Sequence, residues 1–268
     1  MALFGAALLL ISGIVLVLVV SSARTPPPQP TAIAQVAAPV IAAPLRETVV
    51  VTPTPAPTPC VSGQSQLAIL EEQARVGKWQ DAADAAEAAL AVQGLCSADR
   101  AVLLQKAVTY GLDALYAEPV VLEPFDRAAQ QAQVDRYLKL RERARLADVA
   151  FPSALEVARE ANSSSHHRLT VAAVETALEE RAFNPTIDRD VTKLYISALY
   201  GVCYWQTKDQ TQRDVYTEGL SYCTASYRLA TSFKTGQADA ATLLTTLVGA
   251  DTRAWPTPYP SPLVAANS

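Results

Sequence analysis

Residues 60–96 read CVSGQSQLAILEEQARVGKWQDAADAAEAALAVQGLC. Apolar residues recur at helical spacing on both sides of Gly77-Lys78-Trp79, and a cysteine stands just outside each open end. Glycine adopts the left-handed conformation that closes a helix C-terminus without steric penalty, so the chain is expected to turn here and run back antiparallel. In such a hairpin, residues equidistant from the turn face each other. The midpoint of Cys60 and Cys96 falls on Lys78, inside the turn that Gly77 marks independently, which predicts a bridge across the open end. The same rule applied to Cys203 and Cys223 places a turn at Arg213, next to the polar run TKDQTQ at 207–212. Each bridge is worth roughly 3–4 kcal/mol through loop closure in the unfolded chain.

Toward the C-terminus proline becomes rare and the helical period continues, so the body is expected to be all-α, a stack of antiparallel helical hairpins. The predicted helices cover residues 64–76, 78–92, 97–118, 126–147, a short stretch that begins just past Pro152, 169–182, 187–207, 214–233 and 237–247. Ser97, Asp126 and Ser153 are the expected N-caps, and Pro119 and Asn184-Pro185 are stops. Leu104, Ala107, Val108, Gly111, Leu112 and Leu115 are expected to line one face of the third helix. Gly111, Gly201 and Gly219 stand inside helices, where glycine costs about 1 kcal/mol against alanine, and so predict close helix crossings. The tail from Trp255, WPTPYPSPLVAANS, is expected on the surface or disordered.

Toward the N-terminus, residues 2–20 (ALFGAALLLISGIVLVLVV) carry no charge and are long enough to span most of a bilayer core of roughly 30 Å. Residues 1–23 therefore read as a retained signal anchor; cleavage at Ser21-Ser22-Ala23, giving a secreted protein, is the alternative. Residues 24–59 hold ten of the eighteen prolines and read as an extended spacer. The expected layout is anchor 1–23, stalk 24–59, helical domain 60–251 and proline-rich tail 252–268. A net charge of −4 offers no broad cationic surface for phosphates, so no nucleic acid partner is expected.

Candidate sites are few. Tyr195, Tyr200, Tyr204, Trp205, Tyr216, Tyr222 and Tyr227 concentrate in the last long hairpin. The spacing of Tyr216, Leu220, Cys223 and Tyr227 buries part of that set, which leaves Tyr200, Tyr204 and Trp205 as the expected partner surface. His166-His167 follow three serines and read as a solvated approach to a helix. No Cys-x-x-Cys pair accompanies them, so no metal site is expected. Arg136, Lys139, Arg141, Arg143 and Arg145 read as a solvated face. No Gly-x-Ser-x-Gly elbow frames a nucleophile, and neither enzyme chemistry nor a cofactor is expected.

Gly77-Lys78-Trp79-Gln80-Asp81-Ala82 followed by Ala89-Leu90 resembles the turn and second helix of a tetratricopeptide repeat, with a fainter echo in Gly236, Ala238 and Ala241. The likeness covers one repeat, departs from the family at Leu70 and Gly94, and is not carried through the body by a 34-residue period. It implies a scaffold: a membrane-tethered, extracytoplasmic helical-repeat module binding a protein or peptide partner. A structural subunit of a larger envelope complex and a glycan-binding accessory protein are the alternatives.

Overall fold

The computed structural model describes residues 59–120, 125–236 and 238–265. The expected anchor and almost all of the stalk lie outside the described residues. Within them the protein is all-helical: α1 (Gln64–Arg75), α2 (Trp79–Leu90), α3 (Ser97–Ala117), α4 (Arg127–Ala147), α5 (Ala154–Ser163), α6 (His167–Glu179), α7 (Arg189–Gln206), α8 (Arg213–Ser232), α9 (Asp239–Leu247) and the short α10 (Pro262–Ala265). Among the described residues there is no strand, only an isolated bridge between Val61 and Leu95.

Local chemistry sets the helix ends. Gly77, at φ +78°, closes α1 with two bonds, its own N–H to the Ala74 carbonyl (3.0 Å) and the Lys78 N–H to the Gln73 carbonyl (3.0 Å). The end of α5 repeats this pair with Ser165 at φ +61°: Ser165 N–H to Asn162 (3.1 Å) and His166 N–H to Ala161 (2.8 Å). In both connections the residue after the left-handed one, Lys78 or His166, is also the cap of the next helix. Asp126 caps α4 by accepting from the Ala129 N–H, and Ser153 with Glu156 forms a capping box on α5. At α3 the expectation is corrected. Ser97 is the first helical residue and Cys96 holds the cap position without a side-chain bond, because Cys96 is tied back to Cys60.

Consecutive helices pack on one another from α1 to α4 and from α5 to α9, and second neighbours also touch: α1 with α3, α4 with α6, α5 with α7, and α7 with α9. Two hydrophobic cores result. The smaller joins Leu67, Leu70, Ala82, Ala86 and Leu103, where alanines on α2 let the backbones approach. The larger gathers α5 to α8 around Val157, Leu169, Ile196, Leu199 and Leu229. Helix α3 enters both, with Leu103 and Ala107 in one and Leu112 and Leu115 in the other. The three helical glycines stand at tight crossings, since a methyl at Gly111 would meet Leu140 at 3.0 Å and one at Gly201 or Gly219 would come within 2.7 Å of His167 or Gln206.

The tail overturns its expectation. Ser261, Leu263 and Val264 are buried, Tyr259 stacks on Tyr222 with centroids 4.2 Å apart, and the Tyr259 N–H donates to the Ser221 carbonyl (2.9 Å). Trp255 meets Tyr227 edge-on at 4.9 Å. Pro256, Pro258, Pro260 and Pro262 stiffen the segment, so laying it along α8 removes little chain entropy while its aromatics gain cover. The folded body therefore runs past 251 into α10.

Candidate functional site

The aromatic hairpin divides into two populations. Tyr195 and Tyr222 are core residues. The Tyr195 hydroxyl lies 2.7 Å from both Glu175 Oε1 and Ser261 Oγ, and the Tyr259 hydroxyl donates to Glu175 Oε2 at 3.3 Å. Burial pushes the Glu175 carboxyl above the usual range, opposed by the two tyrosine hydroxyls. Tyr200, Tyr204 and Trp205 do come together toward the end of α7: Tyr200 and Tyr204 centroids are 6.2 Å apart, and Tyr204 meets Trp205 edge-on at 5.1 Å. Tyr204 is exposed, and Tyr200 and Trp205 are half-buried. The Lys208 ammonium sits 4.9 Å from the Tyr204 centroid and 4.1 Å from that of Trp205, so the chain supplies its own cation to this surface.

Both predicted bridges are present. Cys60 and Cys96 are joined with Cα atoms 4.9 Å apart, and Cys203 and Cys223 with Cα atoms 5.0 Å apart. Around the first bridge the Val61 N–H donates to Gly94 (2.9 Å) and the Cys96 N–H to Val61 (3.0 Å). Asp99 accepts from the Gly63 N–H at 2.7 Å, and that bond leads in holding its carboxyl below the usual range. The second bridge is fully buried and pins α7 to α8. Two disulfides fit an oxidising, extracytoplasmic compartment. Among the described residues no helix is long and apolar enough to cross a membrane, and no group of three or more histidine, cysteine or acidic residues is placed to hold a metal.

Two surface expectations are corrected. His166 is 2% exposed, and neither ring nitrogen has a partner among the described residues. The close of α5 turns it inward, and burial pushes its pKa down against the opposing pull of Glu118. His167 packs on Gly201 of α7. The basic run is likewise more than a solvated face. Arg136 pairs with Glu118 after α3, Arg141 with Glu180 after α6, and Arg143 with Glu87 on α2, so α4 is clasped on several sides by half-exposed pairs. Lys139 remains exposed and Arg145 pairs within its own helix with Glu142.

A cleft that no sequence motif announces opens between α3 and α5, with a volume of about 570 Å³. Val108, Leu112, Phe151 and Pro152 supply its apolar walls, and Asp113, Tyr116 and Glu160 its polar ones. Gln105 fixes the connector leading into α5 by a reciprocal amide pair with Ala150, both bonds 2.9 Å. Glu156 is committed to the Ser153 cap and held below the usual range by it. Asp113 is pushed up by burial and by Glu160 across the cleft, and the Tyr116 hydroxyl is pushed up by burial, then by Glu160 and Asp113 among its neighbours. No lysine or arginine lines the cleft. Compared with family models, with characterised proteins and with solved structures, the chain matches none of them.

Proposed function

We propose that the chain is an extracytoplasmic, tetratricopeptide-like helical-repeat module, tethered by its N-terminal apolar run, that binds an extended segment of a protein partner along the face formed by its odd-numbered helices. The observation that carries this is the layering of contacts, in which odd helices touch odd ones (α1 with α3, α5 with α7, α7 with α9) and even touch even (α4 with α6). Such layering is what stacked helical hairpins produce, and in the odd layer it runs from α1 to α3 and from α5 to α9 on either side of the cleft between α3 and α5. Support comes also from the two short connections closed alike at Gly77 and Ser165, and from the open cleft between two odd helices.

The test is photocrosslinking in intact membranes from single positions. Thr109 on α3 and Tyr204 on α7 represent the odd layer, and the exposed Leu146 on α4 the even one. Adducts to one protein from Thr109 or Tyr204, absent from Leu146, are expected. No adduct at either odd-layer position, or an equal yield from Leu146, would sink the assignment.

A further inference from the structure

We propose that the cleft between α3 and α5 receives an arginine side chain carried on the partner's segment, with Asp113 and Glu160 as its paired carboxylates and Phe151, Leu112 and Tyr116 as its walls. This deepens the peptide-binding function proposed above and rests on it.

Charge complementarity identifies the occupant. Five glutamates that face a neighbouring element meet a cation: Glu71 has Lys106, Glu87 has Arg143, Glu118 has Arg136, Glu180 has Arg141, and Glu218 has Arg127 and Arg168, while Glu175 and Asp99 are held by hydroxyl or N–H donors instead. Asp113 and Glu160 come from different helices, line the same cleft, and have no ion-pair partner among the described residues. Burial, and after it the Glu160 charge, act against the Asp113 carboxylate, an effect that an incoming cation relieves. Arginine fits better than a compact ammonium or a metal ion. Its planar fork can address two carboxylates at once, and it stacks on aromatic rings such as Phe151 or Tyr116. Its methylene stem lies favourably along Val108, Leu112 and Pro152. The volume of about 570 Å³ falls in the range of small-ligand pockets and admits the side chain with neighbouring backbone. The walls are fixed in advance, α5 by its capping box and the connector by Gln105.

The experiment uses the full-length chain in mild detergent, immobilised, and two degenerate heptapeptide pools identical except for their central residue, arginine in one and its neutral isostere citrulline in the other. Retention of the arginine pool about thirtyfold above the citrulline pool is expected, falling as salt screens the half-open site. The double substitution Asp113→Asn, Glu160→Gln should reduce arginine retention to the citrulline level while leaving the melting temperature equal or higher, because a repelling pair is removed. That second readout separates lost recognition from lost folding. Equal retention of both pools overturns the arginine pocket and leaves peptide binding standing. Retention of neither also overturns it, with the Thr109 crosslinks deciding separately whether the face binds a protein. Arginine retention that survives the double substitution overturns it too, by locating the binding elsewhere. Retention that appears only after Arg46→Ala would assign the cleft to this chain's own linker and overturn the partner as occupant.

Discussion

Removing the Cys60–Cys96 bridge by the double substitution Cys60→Ala, Cys96→Ala should loosen one end of the protein and leave the other unchanged. The bridge spans a sequence separation of 36, for which the chain-entropy relation gives about 3.8 kcal/mol. What remains at the open end is modest: the Val61 and Cys96 backbone bonds and the Asp99 carboxylate on the Gly63 N–H. Helices α1 and α2 belong to the smaller core, which meets the larger one through α3. The loss should therefore appear as local opening. Hydrogen exchange followed by mass spectrometry should show amides in α1 and α2 accelerated by up to about 600-fold, the exponential equivalent of that free energy. Amides in α6 to α8, stabilised by their own core and by Cys203–Cys223, should exchange at the wild-type rate. An acceleration below about tenfold in α1, or one spread evenly through α8, would refute the idea that the bridge holds a separable hairpin shut.

Gly219→Ala should lower stability by about 1–3 kcal/mol in thermal melts, since the new methyl would stand 2.7 Å from Gln206 Cβ and 3.3 Å from its carbonyl carbon, and the nearby disulfide prevents α7 and α8 from parting. His166→Leu should flatten the acid limb of stability. The folded pKa of His166 lies below the unfolded value of 6.5, so its contribution is present above that pH and is lost as pH falls toward the folded value; urea titrations from pH 7 to 5 should show wild type losing stability relative to the variant. Glu175→Gln tests the opposite sign. Its folded pKa is raised above 4.5, so wild-type stability is fully present below that pH and declines as pH rises through the folded value, a decline that the variant should lack in the same titration.

The legible parts of this fold were those written in local chemistry. Asp126, Ser153 and Gly77 each mark a helix end by a bond that needs no tertiary context, and the disulfide pairing followed from equidistance about a turn. His166 was misplaced because its turn carries Ser165 where the first hairpin carries Gly77; the backbone closes identically, but serine does not advertise a left-handed residue. The burial of the tail was missed because its four prolines read as a surface or disordered segment, whereas the partners of Tyr259 and Ser261, namely Tyr222, Tyr195 and Glu175, lie 37 to 84 residues away in sequence. Tyr200, Tyr204 and Trp205 stand side by side on α7, yet nothing in residue type foretold that Lys208 would sit over two of their rings. The cleft was invisible for a different reason. Asp113 and Glu160 are ordinary helix-surface carboxylates until α3 and α5 are set side by side.

The position of that cleft is itself informative. Odd helices elsewhere close on their odd neighbours, α1 on α3, α5 on α7 and α7 on α9, but α3 and α5 do not pack in this way. Between them the chain completes α4, whose arginines pair with Glu87, Glu118 and Glu180, and the gap itself is lined by the like-charged Asp113 and Glu160. A hairpin stack optimised for stability alone would place an apolar pair there, extending the apolar contact that Leu112 and Leu115 already make below. Opposed carboxylates over an apolar floor instead weaken the fold slightly at the joint between its two cores, and in doing so keep a pocket open whose charge is matched only when something cationic enters.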